Sequence, residues 1–379
     1  MANPDIVIFG DFSAEGGIQR CLVNIIPAWL EAGYRVQLVG YRDAVRFYPD
    51  ELPAAVELHH LGTRARLSTL WRLWRYLRRH RPRAVLATNH LDNLLIAVAG
   101  RLPGVRSRIV LEVQNNFVAS TRGGERKRRR KVARVRRFYP WADAMITASQ
   151  GLARSLREAA GLEGLPIHPI HNAVITPSIL ERAREPVDHP WFGDGAGPVA
   201  IYVGRFSHQK DLPTLLEALA EVRRQRPLRL IMVGKGSQEQ ALRARAAELG
   251  IADAVDMPGH VANPYAWMAR ADLFVLSSAW EGFGNVVAEA LALGVPVVST
   301  DCPSGPAEIL EQGRYGRLVP VGDAPALAAA VLGTLDEPLT YDPAEAARRF
   351  TSAYVAERYL EVLLTDDRSG NPSQYRGPE

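Results

Sequence analysis

Four charged side chains in the second half of the sequence have the types and the spacing to bind a diphosphate and a sugar diol. Arg205 and Lys210 lie on one segment, GRFSHQKD, and two cations on one loop can neutralise a diphosphate where no metal does so. Glu281 and Glu289 flank a glycine-rich turn between an apolar segment and a helical one. A carboxylate about one turn into a helix, as Glu289 would be, can accept hydrogen bonds from a ribose diol. Glu281 would lie in the preceding loop, at the mouth of the same site.

A further feature is the glycine pair Gly16 and Gly17 at the start of a predicted helix. Glycines at a helix N-terminus let backbone N–H groups approach an anion, which the helix dipole already favours. Each of these features also has a purely structural explanation. The glycines could serve a tight turn with positive φ, and Arg205 and Lys210 could form a solvated surface pair. Either glutamate could compensate the charge of a helix N-terminus.

The elements that must position these residues are strands alternating with helices, in two successive sets. Continuous Val, Ile and Leu strands between amphipathic helices indicate parallel sheets covered on both faces. The sequence therefore predicts an α/β protein with two doubly wound, Rossmann-like domains that face a cleft and join near the Pro- and Gly-rich stretch 185–198. The predicted strands are 5–9, 35–40, 56–61, 84–88, 108–113, 144–149, 198–204, 228–234, 272–278 and 295–301, and the predicted helices are 16–33, 66–80, 93–100, 124–138, 211–225, 238–249, 285–293, 324–335 and 354–364.

Ligands of such sheets bind beyond the carboxyl ends of the strands. Four of the predicted strands end in unusual residues, so we expect these ends to line one cleft. The segments that follow those strands are 10–20, 204–211, 235–240 and the loop before Glu289.

Composition narrows the class of protein further. The 379 residues suffice for two domains, and no run approaches the roughly 20 apolar residues of a membrane-spanning helix. The N-terminal stretch lacks the pattern of a secretion signal, and the two cysteines, Cys21 and Cys302, are far apart. A disulfide framework and a zinc site are therefore not expected, and a reducing cytoplasm is. Residues 1–190 hold 29 Lys and Arg against 17 Asp and Glu, whereas residues 191–379 hold 17 against 24.

Taken together, the charged blocks resemble the signature of family 4 of the retaining glycosyltransferases, which have the GT-B fold and use nucleotide-activated sugars. The resemblance is carried in order by EGGIQR (15–20), IHNAV (170–174), VGRFSHQKDLPTLLEAL (203–219) and EGFGNVVAEALALGVPVVSTDCPSGPAEIL (281–310). It implies an acceptor-binding domain over 1–185, a nucleotide-sugar-binding domain over 186–350 and a helix over 351–365 that crosses back to the first domain. Residues 366–379 read as a disordered tail.

The resemblance also assigns roles to the site residues. Arg205 and Lys210 would bind the donor diphosphate and stabilise it as the leaving group, Glu289 would hold the ribose hydroxyls, and Glu281 would face the donor hexose. The catalytic set that the resemblance implies is Arg205, Lys210 and Glu281. The remaining donor contacts that it implies are Gly16 and Gly17 on the β-phosphate, Gly259 and His260 on the base, and the backbone of Gly284, Asn285 and Val286 on the phosphate or sugar.

One position departs from the family pattern. Many relatives carry a histidine after the strand that here reads RIVLEV, whereas this sequence has Gln114 followed by Asn115 and Asn116. A glutamine can form hydrogen bonds but cannot act as a base. That fits a retaining mechanism in which the departing phosphate takes the acceptor proton. Gln114, Asn115 and His90 are candidates for contact with the donor sugar or the acceptor.

The resemblance implies a transferase that moves a hexose or N-acetylhexosamine from a nucleotide sugar to a glycan or lipid-linked sugar, in surface polysaccharide or glycan biosynthesis. The words DCPSGPAEIL resemble the branch that uses UDP-sugars. No Asp-x-Asp motif is present, so no metal ion and no cofactor is expected. The alternatives are an epimerase or phosphorylase of the same fold, or a non-catalytic protein whose basic face binds a membrane or nucleic acid. No lysine motif for pyridoxal phosphate supports the phosphorylase.

Two basic segments lie in the first half of the sequence. Segment 64–83 places Leu and Trp on one helical face with arginines around it, and segment 122–137 holds ten Lys and Arg against one acid. This composition is typical of helices that lie on an anionic membrane. A helix that packs its Leu and Trp face on its own sheet is the alternative. We expect a peripheral protein at the inner face of the membrane, with a polyprenyl-linked acceptor and no nucleic-acid partner.

Overall fold

The structure is a computed structural model and describes residues 3–12, 17–41, 51–63, 65–116, 124–193 and 197–365. Within these residues two parallel sheets lie in succession along the chain, one of seven strands and one of six. The predicted α/β class with two Rossmann-like domains is therefore confirmed. The proposed disordered tail, 366–379, lies outside the described residues.

The first sheet has the strand order β3-β2-β1-β4-β5-β6-β7, and every neighbouring pair is parallel. Its central strands are buried on both faces, because helices cover each side. The order reverses between β1 and β4, which is where such sheets open a binding crevice. The strands are β1 (Ile6–Gly10), β2 (Val36–Gly40), β3 (Glu57–His60), β4 (Ala84–Ala87), β5 (Arg108–Val113), β6 (Ala144–Thr147) and β7 (Ile167–Pro169).

The second sheet has the order β10-β9-β8-β11-β12-β13 and is also parallel throughout. Its order reverses between β8 and β11, so the ends of these two strands should flank the second crevice. The strands are β8 (Val199–Val203), β9 (Arg229–Val233), β10 (Val255–Gly259), β11 (Leu273–Leu276), β12 (Val297–Thr300) and β13 (Arg317–Val319).

The helices cover both faces of each sheet. In the first domain one hydrophobic core lies between the sheet and helices α1 and α14, and a second lies between the opposite face of the sheet and helices α2 to α5. The helices of the described residues are α1 (Gly17–Glu31), α2 (Arg66–His80), α3 (His90–Gly100), α4 (Gly124–Phe138), α5 (Gln150–Ala160), α6 (Pro177–Ala183), α7 (Leu212–Arg223), α8 (Glu239–Glu248), α9 (Pro264–Met268), α10 (Asn285–Ala292), α11 (Pro306–Ile309), α12 (Ala324–Asp336), α13 (Pro343–Ala347) and α14 (Ser352–Leu364).

The last helix of the described residues, α14, packs on the first domain although it follows the second in sequence. The indole Nε1 of Trp29 on α1 donates to the carbonyl of Ala356 at 3.0 Å, and Arg108 Nε donates to the carbonyl of Val362 at 2.9 Å. These bonds tie α14 to α1 and to the start of β5. The domain limits at 185 and 350 stay a prediction.

No helix of the described residues combines the length and the apolar character that crossing a bilayer demands.

Candidate active site

Two loops at the carboxyl edge of the second sheet form one hydrogen-bonded unit. One follows β8 and carries Arg205 and Lys210, and the other follows β11 and carries Glu281. Ser277 Oγ donates to the carbonyl of Lys210 at 2.8 Å, and Gln209 Nε2 donates to the carbonyl beyond β11, at residue 280, at 3.0 Å. The structure therefore brings together two loops whose contacts join residues 67 and 71 positions apart in the sequence.

Lys210 and Glu281 form a partly buried ion pair. The ammonium Nζ lies 2.5 Å from Glu281 Oε1, and the side chains are only 15% and 7% exposed. Ser278 Oγ donates to the same oxygen at 2.7 Å, and Gln209 Nε2 donates to Oε2 at 3.3 Å. Three donors thus fix the Glu281 carboxylate, while Arg205 is an exposed cation on the same loop.

The helix α10 begins directly behind this pair. Gly284 precedes it with φ +98°, a backbone conformation that residues with a side chain rarely adopt. Asn285 and Val286 supply the first helical N–H groups. Asn172 Nδ2, from the IHNAV segment, donates to Asn285 Oδ1 at 2.8 Å. The start of α10 therefore meets the segment that links the two domains, and its unpaired N–H groups favour an anion.

Glu289 lies one turn into α10 and faces the first domain. Burial raises the pKa of Glu289 to about 7, and the positive charge of Arg20 on α1 limits the rise. The carboxyl is therefore poised to change its charge near neutral pH. Gly17 is the first residue of α1, whereas its neighbour Gly16 lies outside the described residues.

The loops after β9 and β10 complete the edge of the second sheet. Close packing requires glycine after β9, since a Cβ at Gly236 would lie 2.0 Å from the carbonyl oxygen of Phe206. Gly259 has φ +85°, and a Cβ there would lie 2.9 Å from Lys235 Cε. His260 is exposed beside it. Lys235 is an exposed cation at this edge that the sequence reasoning did not single out.

Gln114 lies at the seam between the domains. A Cβ on Gly282 would lie 1.9 Å from the carbonyl oxygen of Gln114, so the two backbones touch. Asn115 is exposed next to it, and Asn116 Nδ2 donates to Ser304 Oγ of the second domain at 3.0 Å. The end of β5 thus reaches the loop that carries Glu281.

His90 begins α3 at the neighbouring strand end. Its Nδ1 lies 3.0 Å from the hydroxyl of Tyr139. Burial, together with the charges of Lys131 and Arg134, lowers the pKa of His90 to about 4. The ring is therefore neutral at pH 7.

Two buried carboxylates near the carboxyl ends of β1 and β5 were missed by the sequence reasoning. Asp92, on α3, is buried beside the end of β1 and accepts the hydroxyl of Tyr41 at 2.9 Å and the N–H of Asp11 at 3.3 Å. Burial raises the pKa of Asp92 to about 6. It holds the start of the segment that leads to the glycine pair.

The other is Glu112, in β5. It could have been noticed as the one acid inside the apolar run RIVLEV. Burial raises its pKa, and hydrogen bonds from Gln114 and Tyr359 act against the rise.

No group of three or more His, Cys, Asp and Glu side chains in the described part of the chain is arranged to hold a metal ion. The expected independence of metal stays a prediction.

Two family models match the chain. The model "Glycosyltransferase Family 4" matches residues 15–176, and the model "Glycosyl transferases group 1" matches residues 197–337. Each model covers one of the two domains, and together they cover most of the chain.

Three curated relatives are similar to this chain over part of their length. A lipopolysaccharide core biosynthesis glycosyltransferase of Rhizobium meliloti is 29% identical over 60% of this chain and 66% of that protein. A phosphatidyl-myo-inositol mannosyltransferase of Mycobacterium leprae is 32% identical over 62% of this chain and 63% of that protein. An N-acetylgalactosaminyltransferase of Campylobacter jejuni that acts on a diphospho-undecaprenol-linked sugar is 30% identical over 48% of each chain. The chain thus spans about half to two thirds of these relatives.

Solved structures of similar fold match nearly the whole chain. The lipopolysaccharide outer core galactosyltransferase WaaB has a TM-score of 0.72 at 18% identity, covering 94% of this chain and 98% of its own. The Anabaena protein HepE, solved in complex with UDP, has a TM-score of 0.75 at 21% identity, covering 95% and 99%. At these identities the likeness shows the fold, which is the two-domain GT-B arrangement.

Proposed function

This chain belongs to the glycosyltransferases that the two family models describe, and from that premise we propose that it transfers a hexose or N-acetylhexosamine from a UDP-sugar with retention of configuration. The acceptor is a glycan or a lipid-linked sugar, and the product enters surface polysaccharide or glycan biosynthesis. The observation that carries the proposal is the partly buried ion pair of Lys210 and Glu281 near the start of α10, with Arg205 on the same loop as Lys210.

The charges of this site suit the departure of a diphosphate. Breaking the bond between sugar and phosphate builds negative charge on the phosphate and positive charge at the anomeric carbon. Arg205, Lys210 and the N–H groups at the start of α10 stabilise the negative charge without reorganisation. Gln114 cannot accept a proton, so the departing phosphate takes the proton of the acceptor hydroxyl. Such a reaction needs no metal ion, since side chains and backbone amides supply the electrophilic groups.

Relatives support the choice of donor and acceptor. HepE was solved with UDP, with UDP-glucose and with UDP and glucose, which favours a UDP-sugar as the donor. The Campylobacter relative acts on a sugar linked to diphospho-undecaprenol, which favours a polyprenyl-linked acceptor.

The surface of the first domain supports a peripheral location at the inner face of the membrane. Within α2, Leu73 and Leu77 pack inward, whereas Leu67 and Trp71 project outward and are 83% and 51% exposed. The apolar face predicted for segment 64–83 is thus divided between the core and the surface.

The second basic segment lies on the same side of the first sheet. Helix α3 lies between α2 and α4 and contacts both. The described part of segment 122–137 forms most of α4, whose arginines are exposed. Exposed apolar side chains beside a dense positive charge are what an anionic membrane binds. Residues 64, 122 and 123 lie outside the described residues.

Release of UDP tests the transfer. The full chain is incubated with UDP-glucose, UDP-galactose and UDP-N-acetylglucosamine in the presence of EDTA, with and without sugar acceptors. We expect UDP release from at least one donor and its loss in Lys210→Ala. The control is Arg224→Ala, which should release UDP like the wild type because Arg224 is an exposed cation at the end of α7. Release that depends on a divalent ion, or that survives Lys210→Ala, contradicts the proposal.

Co-sedimentation with vesicles tests the location. We expect binding to phosphatidylglycerol vesicles, weak binding to phosphatidylcholine vesicles, and loss of binding in the double variant Leu67→Ala/Trp71→Ala. Leu180→Ala is the matched control, because Leu180 is 48% exposed on α6, away from the basic helices. Equal vesicle binding of the double variant and the control contradicts the proposal that Leu67 and Trp71 bind the membrane.

A further inference from the structure

Glu112 is a carboxylate in a place where an apolar residue would satisfy the packing. It is 1% exposed near the end of β5. Ile109, Leu111 and Val113 of this strand face the core under α2 to α5, whereas Val110 faces the core under α1 and α14. Because side chains alternate along a strand, Glu112 and Gln114 share the face of Val110. A buried carboxyl group costs free energy unless its hydrogen bonds repay it, so its partners are informative.

Both partners of Glu112 donate to the same oxygen. Gln114 Nε2 donates to Oε1 at 2.6 Å, and the hydroxyl of Tyr359 on α14 donates to Oε1 at 2.5 Å. Tyr359 is 2% exposed, and Gln114 is 6% exposed. Oε2 has no hydrogen-bond partner among the described residues. The carboxyl group is therefore held by two side chains. Gln114 is close to Glu112 in sequence, whereas Tyr359 lies 247 positions away on α14.

This contact fixes which end of the Gln114 carboxamide is engaged with Glu112. A carboxamide has a donor end and an acceptor end, and turning it over would set its oxygen against the acceptor Oε1. The hydrogen bond to Glu112 therefore commits the NH2 group. The amide oxygen is the atom left for another partner, and it can only accept a hydrogen bond.

The position of Gln114 makes a sugar hydroxyl the matching partner. Its backbone carbonyl touches Gly282, the residue after Glu281. A hexose that lies against Glu281 has hydroxyl groups that donate, and an acceptor of fixed orientation selects among them.

We propose that Glu112 is a positioning residue for donor-sugar binding: it holds Gln114 with the amide oxygen available to a hydroxyl of the donor hexose, and Tyr359 holds Glu112. This inference rests on the proposed function and deepens it. It also gives α14 a part in the site, since the helix that braces the first domain carries the residue that locks Glu112. Glu112 itself touches neither donor nor acceptor.

Binding of UDP and of a UDP-sugar separates this role from a structural one. The dissociation constants of UDP and of the most rapidly hydrolysed donor among UDP-glucose, UDP-galactose and UDP-N-acetylglucosamine are measured by calorimetry on the full chain. In Glu112→Leu we expect the UDP-sugar to bind about three- to tenfold more weakly, as befits one hydrogen bond, with the affinity for UDP unchanged. Glu112→Gln keeps an acceptor oxygen, so it retains the wild-type ratio of the two constants.

Two further variants keep the test decisive where Glu112→Leu folds poorly. Tyr359→Phe removes one of the two donors, and we expect a smaller change of the ratio in the same direction. Adding Glu112→Leu to Gln114→Ala should weaken sugar binding no further than Gln114→Ala alone, because both changes remove one interaction.

Three results would overturn the inference. An unchanged ratio in Glu112→Leu and Tyr359→Phe, or additive losses in the double variant, overturns it while leaving the proposed function intact. Where the ratio is unchanged because UDP and UDP-sugar binding weaken equally, Glu112 belongs to the fold alone. A wild-type chain that binds neither UDP nor any of the three donors overturns the proposed function and the inference with it.

Discussion

Gly151 and Glu308 belong to different domains, and the backbone N–H of Gly151 donates to Glu308 Oε1 at 2.7 Å. The other carboxylate oxygen accepts the N–H of Gln150 at 2.8 Å, so Glu308 of α11 closes the N-terminus of α5. His171 Nε2 lies 3.5 Å from the same carboxylate. Unpaired N–H groups at a helix start carry partial positive charge, which makes this contact favourable for an anion. Glu308 therefore links the two domains through charge-assisted hydrogen bonds to the N-terminus of α5.

Removing this carboxylate should loosen the contact between the domains. Glu308→Ala leaves the first N–H groups of α5 without their acceptor, which costs about 1–2 kcal/mol. We expect faster amide exchange at Gln150 and Gly151 and a higher KM for the donor. Glu345→Ala is the control, since Glu345 is an exposed acid of the same domain. Unchanged exchange at both amides would show that the carboxylate does not hold the domains.

The ion pair of Lys210 and Glu281 should have separable effects on stability and activity. Lys210→Met leaves a buried carboxylate without its cation, and breaking such a pair costs about 3–5 kcal/mol. Adding Glu281→Gln removes the uncompensated charge, so the double variant should regain most of the free energy of unfolding in urea. UDP release should stay absent, because the cation that stabilises the leaving group is gone. Activity in the double variant would contradict the role of Lys210.

The fold was predictable wherever strands are buried on both faces. Strands such as β1 and β8 form continuous apolar runs, and the sequence located each of them within one or two residues. Among the described residues three strands were missed, and each is an edge strand: β7, β10 and β13. An edge strand has only one neighbour and tolerates polar residues and proline, as in IHP and VDMPG, so the apolar pattern that reveals a strand is lost.

The candidate site was predictable in its motifs but not in its contacts. The sequence indicated that Lys210 and Glu281 lie at one sheet edge, yet it did not predict that they pair with each other. Nothing in the sequence links Glu308 to Gly151, or Glu112 to Tyr359, because these partners are 157 and 247 positions apart. Such contacts depend on how the domains and α14 pack, and local patterns carry no record of that packing.

The absence of a side chain at Gly282 should be necessary for the domains to meet. A Cβ at this position would lie 1.9 Å from the carbonyl oxygen of Gln114, and a backbone atom cannot turn aside as a side chain can. We expect Gly282→Ala to lower UDP release at least about tenfold, equivalent to about 1.4 kcal/mol, with each domain still folded. Gly164→Ala is the matched control, because a Cβ at Gly164 meets nothing within 4 Å. Equal activity of the two variants would contradict the close approach.

The raised pKa of Glu289 predicts that nucleotide binding depends on pH. Burial holds the carboxyl protonated up to a pKa of about 7, compared with 4.5 for the exposed group. The ionised form presents both oxygens as strong acceptors to the two ribose hydroxyls, whereas the protonated form carries a donor on one oxygen. Binding of UDP should therefore release a proton below pH 7.

The affinity for UDP should therefore fall as the pH drops below about 7, approaching tenfold per pH unit, and should level off above it. The β-phosphate of UDP titrates in the same range, so the wild type is compared with Glu289→Gln, in which this contribution is the same and the carboxyl is absent. Calorimetry at several pH values should give a ratio of the two dissociation constants that changes between pH 5.5 and 8. The free energy of unfolding should respond to pH in the opposite sense. The raised pKa of Glu289 stabilises the folded protein at low pH, and this contribution is lost as the pH rises through about 7. A constant ratio would mean that the ribose does not bind to Glu289.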